Sequence, residues 1–168
     1  MAHPLVLALF PTSTAAAAGA RALHDLGIAR EQISVVSRNH DEAGTLAEQI
    51  DASPGADIED SRPAARLGEL GGLVLAAMAL VLPGIGPIVA AGPMSAELGE
   101  AAGHAAGGLA SVLSHAGLPA DTAEMLQREV EEGRVLLGVH VSGGDASQVT
   151  EALRSNGASR TDAASWPD

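Results

Sequence analysis

The sequence predicts an α+β fold: two βαβ halves joined into one antiparallel sheet, with a long apolar segment set between them. Three observations carry this. Residues 1–40 read strand, helix, strand, and residues 118–168 read helix, strand, helix, strand. Between them no charged side chain occurs from Leu70 to Ala96, a run of 27 residues. A chain of 168 residues suits one domain carrying such an insertion.

Each element has a local cause. Leu5 to Phe10 is a short apolar run stopped by Pro11, which favours a buried strand. Thr12, Ser13 and Thr14 offer capping hydroxyls, so Ala15 to Leu26 reads as a helix that ends at Gly27. Ile33 to Ser37 follows as a second strand. In the second half, Pro119 to Glu132 places Ala123, Leu126 and Val130 on one helix face, closed by Gly133. Arg134 to Val141 alternates Val135, Leu137, Val139 and Val141 as a strand does. Asp145 caps a helix to Asn156, and Ala158 to Asp162 makes an edge strand, leaving Trp166-Pro167-Asp168 as a polar tail. Parallel crossovers within each half place the four strands in one antiparallel, split ferredoxin-like sheet with its helices on one face.

The middle divides in two. Residues 41–63 hold a short amphipathic stretch, Asp41 to Asp51, and an acidic linker with Pro54, Gly55, Asp57, Glu59 and Asp60. Residues 64–117 read as an inserted Ala/Gly-rich helical hairpin, broken at Pro83-Gly84-Ile85-Gly86-Pro87. The first arm, Leu70 to Leu82, would span roughly 20 Å at 1.5 Å per residue. A bilayer core is about 30 Å thick. The second arm carries Glu97, Glu100 and His104 in its interior, so neither arm spans a membrane alone, and a re-entrant or interfacial membrane contact is the less favoured alternative. An arm that is apolar all round must be buried, and Gly68, Gly71, Gly72, Ala76 and Ala79 permit close helix approach. This predicts a homo-oligomer formed through residues 64–117.

Composition excludes several classes. The net charge is −12, from 21 acidic residues against nine Arg and no Lys. Such a chain lacks the basic footprint that nucleic acid or anionic lipid requires. With no Cys there is no disulfide framework, thiolate metal site or thiol nucleophile. The start of the sequence has no basic segment before its apolar run, which gives a cytoplasmic expectation. Gly143-Gly144-Asp145 is a turn and cap, not a phosphate loop.

The run Leu82-Pro83-Gly84-Ile85-Gly86-Pro87-Ile88-Val89-Ala90-Ala91-Gly92-Pro93 is followed by an Ala/Gly-rich arm to Gly108, then Gly117-Leu118-Pro119 and the strand Arg134 to Val141. On these residues the chain resembles bacterial general stress proteins of the heat-induced type. The resemblance implies the β-α-β, apolar hairpin, α-β-α-β order and an association with stress. It implies no catalytic residues.

One constellation could carry chemistry. Glu97, Glu100 and His104 stand at i, i+3 and i+7, so a helix places them in one stripe, with Leu98, Ala102, Ala105 and Leu109 opposite. Glu69 on the first arm could approach them. Carboxylates and imidazole on one face suit iron, manganese or zinc. A polar stripe opposite an apolar one is equally what a solvated helix shows. His140 lies in opposite phase to Val139 and Val141 and reads as a partly exposed sheet histidine rather than a ligand. The expected function is a non-enzymatic, self-associating, stress-associated protein. The alternative is a metal-binding protein, which as an enzyme would be a ferroxidase-like oxidoreductase.

Overall fold

A computed structural model describes residues 3–38, 78–82, 86–91, 93–94, 108–141 and 144–166. In chain order the elements are β1 (His3–Phe10), α1 (Ser13–Asp25), a short 3-10 turn (Arg30–Gln32), β2 (Ile33–Ser37), β3 (Met78–Leu82), β4 (Gly86–Ala91), α2 (Leu109–His115), α3 (Ala120–Glu131), β5 (Val135–His140), α4 (Ala146–Ser155) and β6 (Arg160–Trp166). The fold is mixed α+β. Six strands form one sheet in the order β3-β4-β2-β5-β1-β6, and every neighbouring pair is antiparallel. Among the described residues no helix is long and apolar enough to cross a membrane.

The strands of the centre are buried along nearly their whole length because helices cover both faces. In β1, Leu5, Leu7 and Leu9 point to one side and Val6, Ala8 and Phe10 to the other, as strand alternation requires. The Val6 side packs against α1 and α4, with Ala16, Ala20, Leu23, Val149 and Leu153. The Leu5 side packs against α2 and α3, with Leu109, Leu113, Leu126 and Val130. The expectation of helices on one face is thereby corrected. The doubly apolar strand β1 needs a cover on each side, and α2 with α3 supplies the second one.

The four helices among the described residues all close on a glycine with positive φ: Gly27, Gly117, Gly133 and Gly157. After α1, for example, Ile28 N–H reaches back to Leu23 O at 3.0 Å, and Ile28 itself is buried. Only a residue without Cβ adopts that turn without strain. At the other end of α1, Thr12 Oγ1 accepts from Ala15 N–H at 3.1 Å. Helix α2 begins at Gly108, which has no capping side chain. Gln127 of α3 takes the role instead, its Oε1 accepting from Ala110 N–H at 2.9 Å.

The central insertion departs from its expected form. Residues 78–82 and 86–91 are strands, not arms of a helical hairpin. They pair antiparallel, from Met78↔Ala90 to Leu82↔Gly86, and β4 joins the sheet through Val35↔Ala91, Val36↔Ala90 and Ser37↔Val89. A run that is apolar all round has no periodicity to tell helix from buried strand. Pro87 fits, because it lies outside the stretch of β4 that pairs with β2 and so removes no bond from that ladder. Within the insertion, Leu109–His115 is helical as expected. The acidic linker at 41–63 and the remainder of 64–107, apart from Met78–Leu82, Gly86–Ala91 and 93–94, lie outside the described residues. The expected edge strand runs on to Trp166, so that residue ends β6 and is buried.

Candidate functional site

Strand β1 pairs with β5 on one side and β6 on the other, and this brings three distant residues to one corner of the sheet. The registers Leu5↔His140 and His3↔Trp166 put His3, His140 and Trp166 on the face covered by α2 and α3. His3 Nε2 lies 2.7 Å from His140 Nδ1, a hydrogen bond between two imidazoles. The His140 ring meets the Trp166 ring edge-on, with centroids 5.2 Å apart and planes at 82°. His140 is 7% exposed and Trp166 8%. The backbone here is tied down as well: Val141 N–H donates to Pro4 O at 3.0 Å, and Gln32 Nε2 donates to His140 O at 2.8 Å.

One rung along β5 the floor of this corner is made by Gly138, which pairs with Ser34. Met94 lies across it. A Cβ on Gly138 would stand 2.6 Å from Met94 Sδ, so the glycine is what lets the thioether settle on the sheet. Ser34 Oγ accepts from Met94 N–H at 3.0 Å, and both residues are fully buried. Replacing Ser34 by Ala strands that N–H without an acceptor. The expected loss is about 1–3 kcal/mol, read as a lower urea midpoint with unchanged slope.

The electrostatics of the pair follow from burial. His140 is pushed down to about 4, first by desolvation and then by the charge of His3. At neutral pH its ring is uncharged. The Nε2 atom of His140 is buried and has no hydrogen-bond partner among the described residues. Two imidazoles supply two of the four ligands that a closed zinc site takes. Among the described residues no group of three or more His, Asp or Glu side chains comes together to hold an ion.

The residues singled out from sequence, Glu97, Glu100, His104 and Glu69, all lie outside the described residues. His140, expected to be partly exposed, is instead in the core, because the face assigned to solvent is the one that α2 and α3 cover. The contact with His3 spans 137 positions in sequence. No local pattern announces such a pair. The one available signal was that both phases of β1 are apolar, which implies a sheet buried on both sides. Comparison with protein-family models, curated proteins and solved structures finds no match for this chain.

Proposed function

We propose that this protein is a self-associating, stress-associated protein whose copies join through the apolar strands of its insertion. The observation that carries the reading is the contrast between the two ends of the sheet. Strand β3 stands at one end, and among the described residues its outer side has no partner strand. Its sequence is Met78-Ala79-Leu80-Val81-Leu82, without a charge. Strand β6 stands at the other end and carries Arg160 and Asp162, joined by two hydrogen bonds of 2.6 and 2.9 Å. Charged side chains protect an edge strand from pairing with another chain, and a flat apolar edge invites it. The occupant that fits β3 is a second β3, antiparallel across a twofold axis.

The strand order β2-β5-β1-β6, with α1 and α4 as crossovers on one face, supports a split ferredoxin-like core that carries the linker 41–63 and the insertion 64–117. The likeness of residues 82–93 and 134–141 to general stress proteins of the heat-induced type supports the stress association.

Light scattering coupled to size exclusion tests the assembly. The native chain should run as a dimer or larger species at micromolar concentration, without detergent. Leu80→Lys should convert it to monomer, since the charge would sit at the centre of the paired edge. A native monomer, or an assembly that Leu80→Lys leaves intact, removes β3 as the joining strand.

A further inference from the structure

We infer, on the reading that β3 joins the copies, that assembly closes at two chains because the end of α2 seals the opposite edge of the sheet. A chain with two open sheet edges adds copies without limit. A contact of β3 with β6 is head-to-tail, and such contacts build open filaments unless the rotation closes a ring. A contact of β3 with β3 uses the same strand on both copies. It leaves β6 outermost at each end of one continuous sheet, with six strands from each chain. Whether growth stops there is decided at β6.

The seal joins two backbone groups that their own elements leave over. Ser165 stands opposite Pro4 in the β1–β6 register. Pro4 has no N–H, and its carbonyl turns to the other side, where it accepts from Val141 N–H at 3.0 Å. In an antiparallel pair, rungs that exchange bonds alternate with rungs that do not. Pro4 and Ser165 form a rung without bonds, so the Ser165 N–H points away from β1, to the outer edge. There it donates to Ala116 O at 3.0 Å. Ala116 ends α2, and the last carbonyls of a helix find no donor within it. Gly117, at φ +84°, turns the chain directly after that carbonyl, and Ala116 and Leu118 are buried on either side of the turn. By the same alternation Thr161 and Ala163 are the other residues of β6 whose backbone faces outward. Thr161 lies between Arg160 and Asp162, which are bonded to each other, and its Oγ1 accepts from Arg154 Nε of α4 at 2.9 Å. A strand laid over that charged pair would have to desolvate it. Of the three outward rungs, Ser165 is taken, Thr161 lies between the charges, and Ala163 alone is open. Strand β3, in contrast, offers five residues without a charge.

Sedimentation velocity on the full chain, without detergent and over a hundredfold range of concentration, tests the closure. The native protein should reach twice the chain mass and stay there. Leu80→Lys should run as a monomer. Ala163→Lys, which puts a charge on an exposed residue in the middle of the β6 edge, should keep the native mass. Amide hydrogen exchange followed by NMR gives a second readout. Ser165 should be protected at least tenfold more than Ala163, although both lie on the outer edge. The Ala163 amide should exchange as fast in the dimer as in the Leu80→Lys monomer. A native mass that climbs past two chains with concentration, a lower mass in Ala163→Lys, or protection of Ala163 that appears on assembly overturns the closure while β3 remains the joining strand. A Ser165 amide that exchanges like that of Ala163 overturns the seal. An assembly untouched by Leu80→Lys, or a native monomer, removes instead the role of β3 on which the closure rests.

Discussion

Phe10→Ala should destabilise the protein by about 3–5 kcal/mol, the range for removing a fully buried aromatic ring. Phe10 is the only Phe and is wholly buried where β1, α1 and α4 meet. Its ring end is seated on Gly19 of α1. A Cβ at Gly19 would stand 2.6 Å from Phe10 Cζ and 3.1 Å from Cε1, with Leu153 Cδ2 at 3.4 Å. This explains a glycine inside a helix, where Ala would ordinarily stabilise by about 1 kcal/mol. Gly19→Ala should here be unfavourable by about 1–3 kcal/mol, because the fully buried Phe10 ring must shift to admit the methyl group. The two positions are coupled. Gly19→Ala in a Phe10→Leu background should cost less than in the native chain, and a double-mutant cycle by urea unfolding measures the difference. Additive losses would mean that the ring and the helix backbone are not in register as described.

Acidification should cost stability through His140, and the sign is fixed by its environment. The unfolded side chain titrates near 6.5 and the folded one at about 4. Between these values the unfolded state binds more protons, so stability rises with pH. The contribution of His140 is complete above pH 6.5 and is lost as pH falls to about 4. A separation of this size corresponds to about 3 kcal/mol. Unfolding midpoints at pH 7, 6, 5 and 4 should trace this fall on top of the contribution of the carboxylates. His140→Leu should remove that component and leave the carboxylate part. A native and a His140→Leu protein with parallel pH profiles would show that the histidine is not held neutral by its surroundings.

Much of the fold was legible because its signals are local. Thr12 before α1 and the closing glycines at 27, 133 and 157 mark boundaries within a few residues of their causes. The alternation in Val135 to Val141 marks a strand in the same way. The insertion was not legible for a physical reason. Met78 to Leu82 and Gly86 to Ala91 are apolar on every side, so neither a 2-residue nor a 3.6-residue period stands out. Pro83 and Pro87 then read as helix breakers, although a proline beyond the ladder with β2 serves a strand equally well. The His3–His140 pair could not be read because its members are joined only by strand register. His140 alone, between two valines, carries no mark of burial. The Glu97, Glu100, His104 stripe falls outside the described residues, so the question it raised stays with metal-dependent thermal shifts of the native chain and its triple-Ala variant.

The position of β1 also bears on how the chain is made. It is the earliest strand of the sheet to be synthesised, yet its only partners are β5 and β6, which begin at Val135 and Arg160. At typical elongation rates the ribosome needs on the order of ten seconds to supply them. Throughout that interval the run Leu5 to Phe10 has neither of its neighbours. The sheet cannot close around β1 until both of those strands have followed, so this part of the fold waits for residues as far as Trp166. A translation arrest before Val135 should therefore leave a nascent chain that binds a hydrophobic-segment chaperone through residues 5–10, whereas a chain carried past Trp166 should not.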